Sequence, residues 1–291
     1  MSECCIFGEV LFDCFPHGEQ VLGGAPFNVA WNLQALGLSP RLVSRVGADV
    51  AGNRVRDAMQ RWGMDTGGLQ VDAERPTGRV MVTFDAGEPR YDIVADSAWD
   101  AIEAQPQPPC ALLYHGSLAL RSTASASALE ALRGQHRGTV FVDVNLRPPW
   151  WQASAVTAML DHAHWAKLNR EELGLLRPGD VPDPMALLRD CGLRGLVLTL
   201  GDEGAELLTD DGNRRQVAPG PEVDVVDTVG AGDAFASVML LGLLRQWPGE
   251  LILSRAQQFA AAVVGQRGAT CEDPAFYRQF RDAWKLDQEH S

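Results

Sequence analysis

Lysine is almost missing from this chain: Lys167 and Lys285 are the only two in 291 residues. Neither follows a glycine-rich turn, which excludes a Walker-A loop, because that loop needs a lysine after its glycines to reach the terminal phosphates. There is no H-R-D-x-x-x-x-N loop and no G-x-S-x-G elbow, so two further catalytic devices are excluded. The six cysteines, Cys4, Cys5, Cys14, Cys110, Cys191 and Cys271, form no C-x-x-C pair and no Cys/His cluster of zinc spacing. They are expected to be reduced and mostly buried. With no signal peptide at the start, the expected location is the cytoplasm. His162 and His164 in "HAHW" are two apart, so on a helix their rings diverge, and surface or packing roles are expected rather than metal ligation. No apolar run is long enough to span a bilayer. Positive charge is short overall: 25 Lys+Arg against 38 Asp+Glu leave a formal net charge of −13. Such a surface repels nucleic acid and anionic membranes, so neither is an expected partner. An anionic ligand would need a local device, either a helix N-terminus or a metal ion.

The length suits one large α/β domain or two small ones. "CCIFGEVLFDCF" reads as one buried strand ending near Asp13. "VLGGAPFNVAWNLQALG" reads as a glycine turn feeding a helix. "RLVSRVG" is a strand and "AGNRVRDAMQRWG" an amphipathic helix. The rhythm then changes: "TGRVMVTFDAGEPRYDIV" alternates apolar and polar residues about the turn "DAGEP" and predicts a half-exposed hairpin. After the proline-rich "QPQPPC", strands and helices alternate to the end, apart from a hairpin through Asp211 and Gly212. Alternation of this kind predicts a largely parallel sheet with helices on both faces, and the early hairpin predicts a small β lid.

The chemistry concentrates in "VDTVGAGDAF", residues 226–235. Successive small residues let backbone N–H groups converge on an anion, and the apolar helix that follows adds its positive end. Phe235 stands where a dinucleotide fingerprint requires a small residue, which argues against a Rossmann cofactor site. Taken alone, Asp233 on the first helical turn reads as a dipole-compensating carboxylate. With Asp227 and Thr228 ahead of the loop, the segment matches D-T-x-G-A-G-D.

That pattern resembles the C-terminal signature of the ribokinase-like sugar kinases, the PfkB family. "GGAPFNVAWNLQALG" resembles the family's N-terminal sugar-binding segment, "NREE" its N-x-x-E motif, and "LTLGDEGA" its nucleotide-side strand and turn. "QRGA" resembles the late segment of the cation and adenine sites, and "DVNLRPPWW" the D-x-N-x-R segment of fructokinases and ketodeoxygluconate kinases. The match runs through nearly the whole chain in order.

The resemblance implies an α/β/α sandwich over residues 1–291 with lid segments near 13–22 and 77–97, and phosphoryl transfer from ATP to a sugar; an exposed lid strand also offers an edge on which a second copy could pair as a homodimer. It implies Asp233 as the general base, with the amides of Gly230, Ala231 and Gly232 as the anion hole. Asp13, Gly23, Gly24 and Asn28 would bind the sugar, with Arg90 available for an acidic one. Asn169, Thr199, Gly201, Gly204, Gly232, Gln257 and Arg147 would hold the nucleotide. Glu172 would act on Mg²⁺ through water, and Asp227, Val229 and Gly268 would surround a monovalent cation, expected to be K⁺. Fructose is the leading acceptor, because "GEVLFDCFP", "GGAPFN" and "DVNLR" together resemble bacterial fructokinases most. 2-Keto-3-deoxygluconate is the alternative acceptor. A sugar- or nucleotide-binding member without turnover is the alternative of another class, against which the intact Asp233 argues.

Overall fold

The computed structural model describes residues 3–85, 88–179, 182–220 and 224–287. The strand expected over "CCIFGEVLFDCF" is in fact two strands in two different sheets. β1 (Cys4–Phe7) lies in a large sheet, and β2 (Leu11–Cys14) lies in a smaller one. The break comes at Gly8, where a Cβ would stand 2.4 Å from the Pro26 ring, so only glycine lets the chain turn this close to the next helix. β3 (Gln20–Gly23) then runs back beside β2, so the expected glycine turn is a strand up to Gly23. α1 (Ala25–Ala35) starts at once, with Pro26 in its first turn, where a missing N–H costs nothing.

β4 (Arg41–Gly47), α2 (Val50–Arg61) and β5 (Leu69–Asp72) return to the large sheet. β6 (Gly78–Asp85) and β7 (Glu88–Ile93) complete the small one. Ala86 and Gly87, at the tip of the expected hairpin turn, lie outside the described residues. The rest alternates: β8 (Leu112–His115), α3 (Thr123–Gln135), β9 (Thr139–Asp143), α4 (Ala153–Leu160), β10 (Trp165–Asn169), α5 (Arg170–Leu176), α6 (Pro184–Asp190) and β11 (Gly195–Thr199). The hairpin β12 (Ala205–Thr209) and β13 (Arg214–Val217) closes one edge. α7 (Ala231–Leu244), α8 (Gly249–Val264) and α9 (Pro274–Trp284) end the fold.

The large sheet has the order β13-β12-β11-β10-β9-β8-β1-β4-β5, and only β12 runs against the others. Its inner strands bury both faces. Cys4 and Ile6 join the core under α1, α7 and α8, while Cys5 and Phe7 join the core on the opposite side. This is why they read as continuous apolar runs rather than alternating ones. The small sheet has the order β3-β2-β6-β7, with β2 and β6 parallel and the outer pairs antiparallel.

Two helix starts fix the site. α7 is apolar on all sides and buried from Ala234 to Gly242, and each large side chain among these contributes about 1.5–3 kcal/mol through burial. It packs along α1, where the Ser237 hydroxyl reaches the Asp233 and Val29 carbonyls at 2.7 and 3.5 Å. The N-terminal turns of both helices therefore meet at the C-terminal edge of the sheet. In α/β folds ligands bind at that edge.

Candidate active site

Gly230 is the N-cap of α7 and holds a left-handed conformation at φ 84°. A Cβ on it would lie 2.3 Å from that of Ala269, so the turn can form against the 265–270 segment only with glycine. The Ala231 N–H leans on the Thr228 carbonyl at 3.4 Å, whereas the Gly232 and Asp233 amides meet no backbone acceptor among the described residues. Open amides at the positive end of a buried helix are suited to hold an anion. Asp233 stands in the same turn, and its Oδ2 accepts a 2.8 Å hydrogen bond from Asn28 Nδ2. Burial pushes the Asp233 carboxyl up to about 6, and Asp143 pushes the same way, against the Asn28 hydrogen bond and the charges of Lys167 and Arg147.

Asn28 is buried, and its Oδ1 has no hydrogen-bond partner. Gly23 lies between it and Asp13: a Cβ there would stand 3.5 Å from Asp13 Oδ2 and 3.8 Å from Asn28 Oδ1. Asp13 is thus not at the end of a main-sheet strand. It lies within β2, on the face of the small sheet that carries Val21 and Val80. Burial raises its carboxyl to about 6, with Arg147 lowering it and Asp227 raising it. Gly24, just ahead of α1, backs onto the Glu9 carbonyl.

Strand register decides which lid residues join them. Asp13 pairs with Val80 and Val80 with Ile93, so Tyr91, opposite Val82, shares the face of Asp13. Burial and the charges of Asp13 and Asp227 raise the Tyr91 hydroxyl. Arg90 is the expected residue that does not arrive. It sits opposite Thr83 on the other face, exposed, with its guanidinium on Asp85. A cation that does act on these carboxyls is Arg147, whose charge lowers Glu9, Asp13 and Asp233 together. Sequence reasoning had put Arg147 with the nucleotide.

On the other flank, Asn169 ends β10 and pairs in register with Thr199 on β11. Asn169 and Glu172 form a capping box: Asn169 Oδ1 accepts from the Glu172 N–H, and Glu172 Oε2 from the Asn169 N–H, both at 2.8 Å. Glu172 Oε1 takes the Leu146 N–H at 2.7 Å. The carboxylate is therefore buried and holds two loops, where an isolated helix glutamate would be solvated. Gly201 and Gly204 flank the turn after β11. Gln257 lies on α8, its carbonyl and side chain against Gly220. The Asp227 carboxylate accepts from the N–H groups of Val229 and Gly268 at 2.9 and 3.0 Å, so the three residues expected around a cation do lie together.

Three residues of the site were missed. Lys167 and Asp143 form a buried ion pair at 2.9 Å beside Gly232. The signal was present: a lysine inside the apolar strand "WAKLN" requires a buried partner, and "FVDVN" supplies one. Glu9 is 2% exposed with an unpartnered Oε2, and burial pushes it to about 7. Its position inside what read as one continuous strand hid it. The tempting His164 is a packing residue, with Nδ1 accepting the Val140 N–H at 3.0 Å.

The geometry agrees with relatives. The model of the "pfkB family carbohydrate kinase" matches residues 7–275. The chain is 31% identical over 294 residues to the aminoimidazole riboside kinase of Salmonella typhimurium, covering 92% of this chain and 91% of that one. It is also 31% identical over 262 residues to a fructokinase of Klebsiella pneumoniae, covering 82% and 83%. The crystal structure of a Vibrio cholerae O395 fructokinase double mutant in its fructose-, ADP- and potassium-bound form superposes with a TM-score of 0.81 at 25% identity, covering 96% of this chain and 98% of that one. With a carboxylate and open amides at the head of a buried helix and a family match over residues 7–275, this chain belongs to the pfkB family of carbohydrate kinases.

Proposed function

We propose that the protein transfers the terminal phosphoryl group of ATP to a hydroxyl of fructose, with Asp233 as general base. One observation carries this reading: Asn28 is buried, donates to Asp233 and leaves its own Oδ1 unpartnered beside Gly23 and Asp13. A buried acceptor without a donor fits a sugar hydroxyl, and the Asp13 carboxylate next to it fits a second. Asn28 fixes one Asp233 oxygen, and the other takes the proton of the attacking hydroxyl. The Gly232 and Asp233 amides, at the positive end of α7, stabilise charge on the transferring group. Lid residues Asp13 and Tyr91 close over the acceptor and keep out water, the competing nucleophile.

Asn169, Thr199 and the turn at Gly201–Gly204 would line the nucleotide, and Glu172 would face the water shell of its metal. Bound Mg²⁺ would neutralise phosphate charge, held largely by phosphates and water as that ion prefers. Asp227, Val229 and Gly268 would hold a monovalent cation beside the anion hole. The fructokinases among the relatives support fructose, and the V. cholerae structure holds fructose, ADP and potassium.

The second reading is 2-keto-3-deoxygluconate as acceptor. It is favoured by Arg147, whose charge sits beside Asp13. Substituting Arg147 with Met separates the two readings: KM rises moderately for fructose and severely for the keto acid. The test of the main reading is Asp233→Asn, which keeps size but removes the base. Its kcat should fall by about 10²–10⁴ with ATP affinity nearly unchanged. A folded variant with near wild-type kcat would remove Asp233 from the mechanism.

A further inference from the structure

Lys167 is 6% exposed in the middle of a sheet strand, where an ammonium is costly unless paired. Asp143, its register partner on β9, accepts from Nζ with both oxygens at 2.9 and 3.0 Å. The Tyr114 hydroxyl steadies the same carboxylate from β8 at 3.3 Å. Asp143 thus takes up two of the three ammonium N–H groups. No third acceptor meets Lys167 among the described residues. On its open side stands Gly232. A Cβ there would lie 3.4 Å from Nζ, and no Asp143 atom comes within 4 Å of that point. The glycine leaves the ammonium uncovered toward the first turn of α7, and the positive end of the pair faces the anion hole. Burial would lower Lys167, but the Asp143 carboxylate overcomes it and holds the ammonium above its usual range.

We propose that Lys167, oriented by Asp143, is a positioning residue that supplies the fixed cation of the anion hole, standing beneath Gly232 and stabilising the transferring phosphoryl group. The electrostatic need is plain. A helix end carries only about half a charge, whereas Glu9, Asp13, Asp227 and Asp233 crowd the same region of a protein with net charge −13. Lysine, with a compact charge and rotatable donors, suits this position.

The inference rests on the kinase reading, so its test needs a readout that requires no sugar. Lys167→Met alone leaves Asp143 buried and unpaired and threatens the fold. The double variant Lys167→Met/Asp143→Asn is therefore compared with Lys167→Arg and wild type. Calorimetry measures binding of Mg²⁺-ADP with and without aluminium fluoride, a mimic of the phosphoryl group in flight. The double variant should bind ADP nearly as wild type does but lose the added affinity from aluminium fluoride. Its kcat should fall about 100-fold with acceptor KM little changed, and Lys167→Arg should recover most of the loss. A folded double variant that keeps both the aluminium fluoride gain and wild-type kcat overturns the proposal, as does a wild type that gains nothing from aluminium fluoride. If wild type phosphorylates no sugar but the double variant still loses the aluminium fluoride gain, the acceptor reading fails and the role of Lys167 stands.

Discussion

As the proposed general base, Asp233 would serve function at the cost of stability. Burial raises its carboxyl to about 6 in the folded state, above the ordinary aspartate value of an unfolded chain. The unfolded state therefore ionises first. Stability from this group is complete below about pH 4 and is lost as pH rises through about 6. Asp233→Asn carries no such loss, so it should be more stable than wild type at pH 8, by about 3 kcal/mol, with the difference gone near pH 4. Thermal melts of both proteins at the two pH values check this, and equal stability at pH 8 would contradict it. Activity has the opposite sign, because the base works ionised. Asp13 is raised to about 6 as well, so kcat/KM should fall on the acid side with an apparent value near 6 that belongs to both carboxyls. A profile flat down to pH 5 would contradict the assignment. At this scale the sequence was most legible where a residue type has few structural uses in its setting, as with Asp233 after its glycines. Glu9 could not be singled out, because it lay inside what read as one continuous strand, whereas Asp143 was legible through the buried Lys167 that needs it.

Within elements, strand register decides which side chains reach the acceptor. Adjacent lid residues on β7 point to opposite faces, so one step in sequence separates Tyr91 from Arg90. Substituting Arg90 with Ala should leave acceptor KM within about twofold, since its guanidinium pairs with Asp85 on the outer face. Substituting Tyr91 with Ala should raise acceptor KM by about tenfold or more. Steady-state kinetics of the two variants decide, and the reverse order would mean that the lid closes with the other face inward. The alternation of β6 and β7 predicted the hairpin but not which face would be inward, because both faces carry apolar residues: Val80 and Val82 on one face are buried, and Met81 on the other is exposed. The break between β1 and β2 was invisible for a related reason. Both strands are apolar, and only the approach of Pro26 to Gly8 shows that the chain changes sheets there.

For the whole molecule, the alternation of strands and helices was enough to specify a parallel sheet with helices on both faces, because the inner strands such as β1 and β8 are buried on both sides. What sequence pattern alone could not supply was the meeting of α1 and α7, which joins Asn28 to Asp233 across 205 residues. The same long-range closure joins Asp227 to Gly268. Replacing a large organic cation by K⁺ at constant ionic strength should therefore raise activity by ordering the loop before the acceptor arrives. A flat response with Mg²⁺ saturating would leave Asp227 as a brace of Val229 and Gly268. The most direct measurement is kcat/KM for ATP-dependent phosphorylation of fructose, ribose, glucose, aminoimidazole riboside and 2-keto-3-deoxygluconate by the same preparation. Sites built to pair hydroxyls discriminate strongly against acceptors that leave their polar groups unpaired. The expected result is the highest value for fructose. A higher value for the riboside or the keto acid, or no turnover of any of them, would contradict the account.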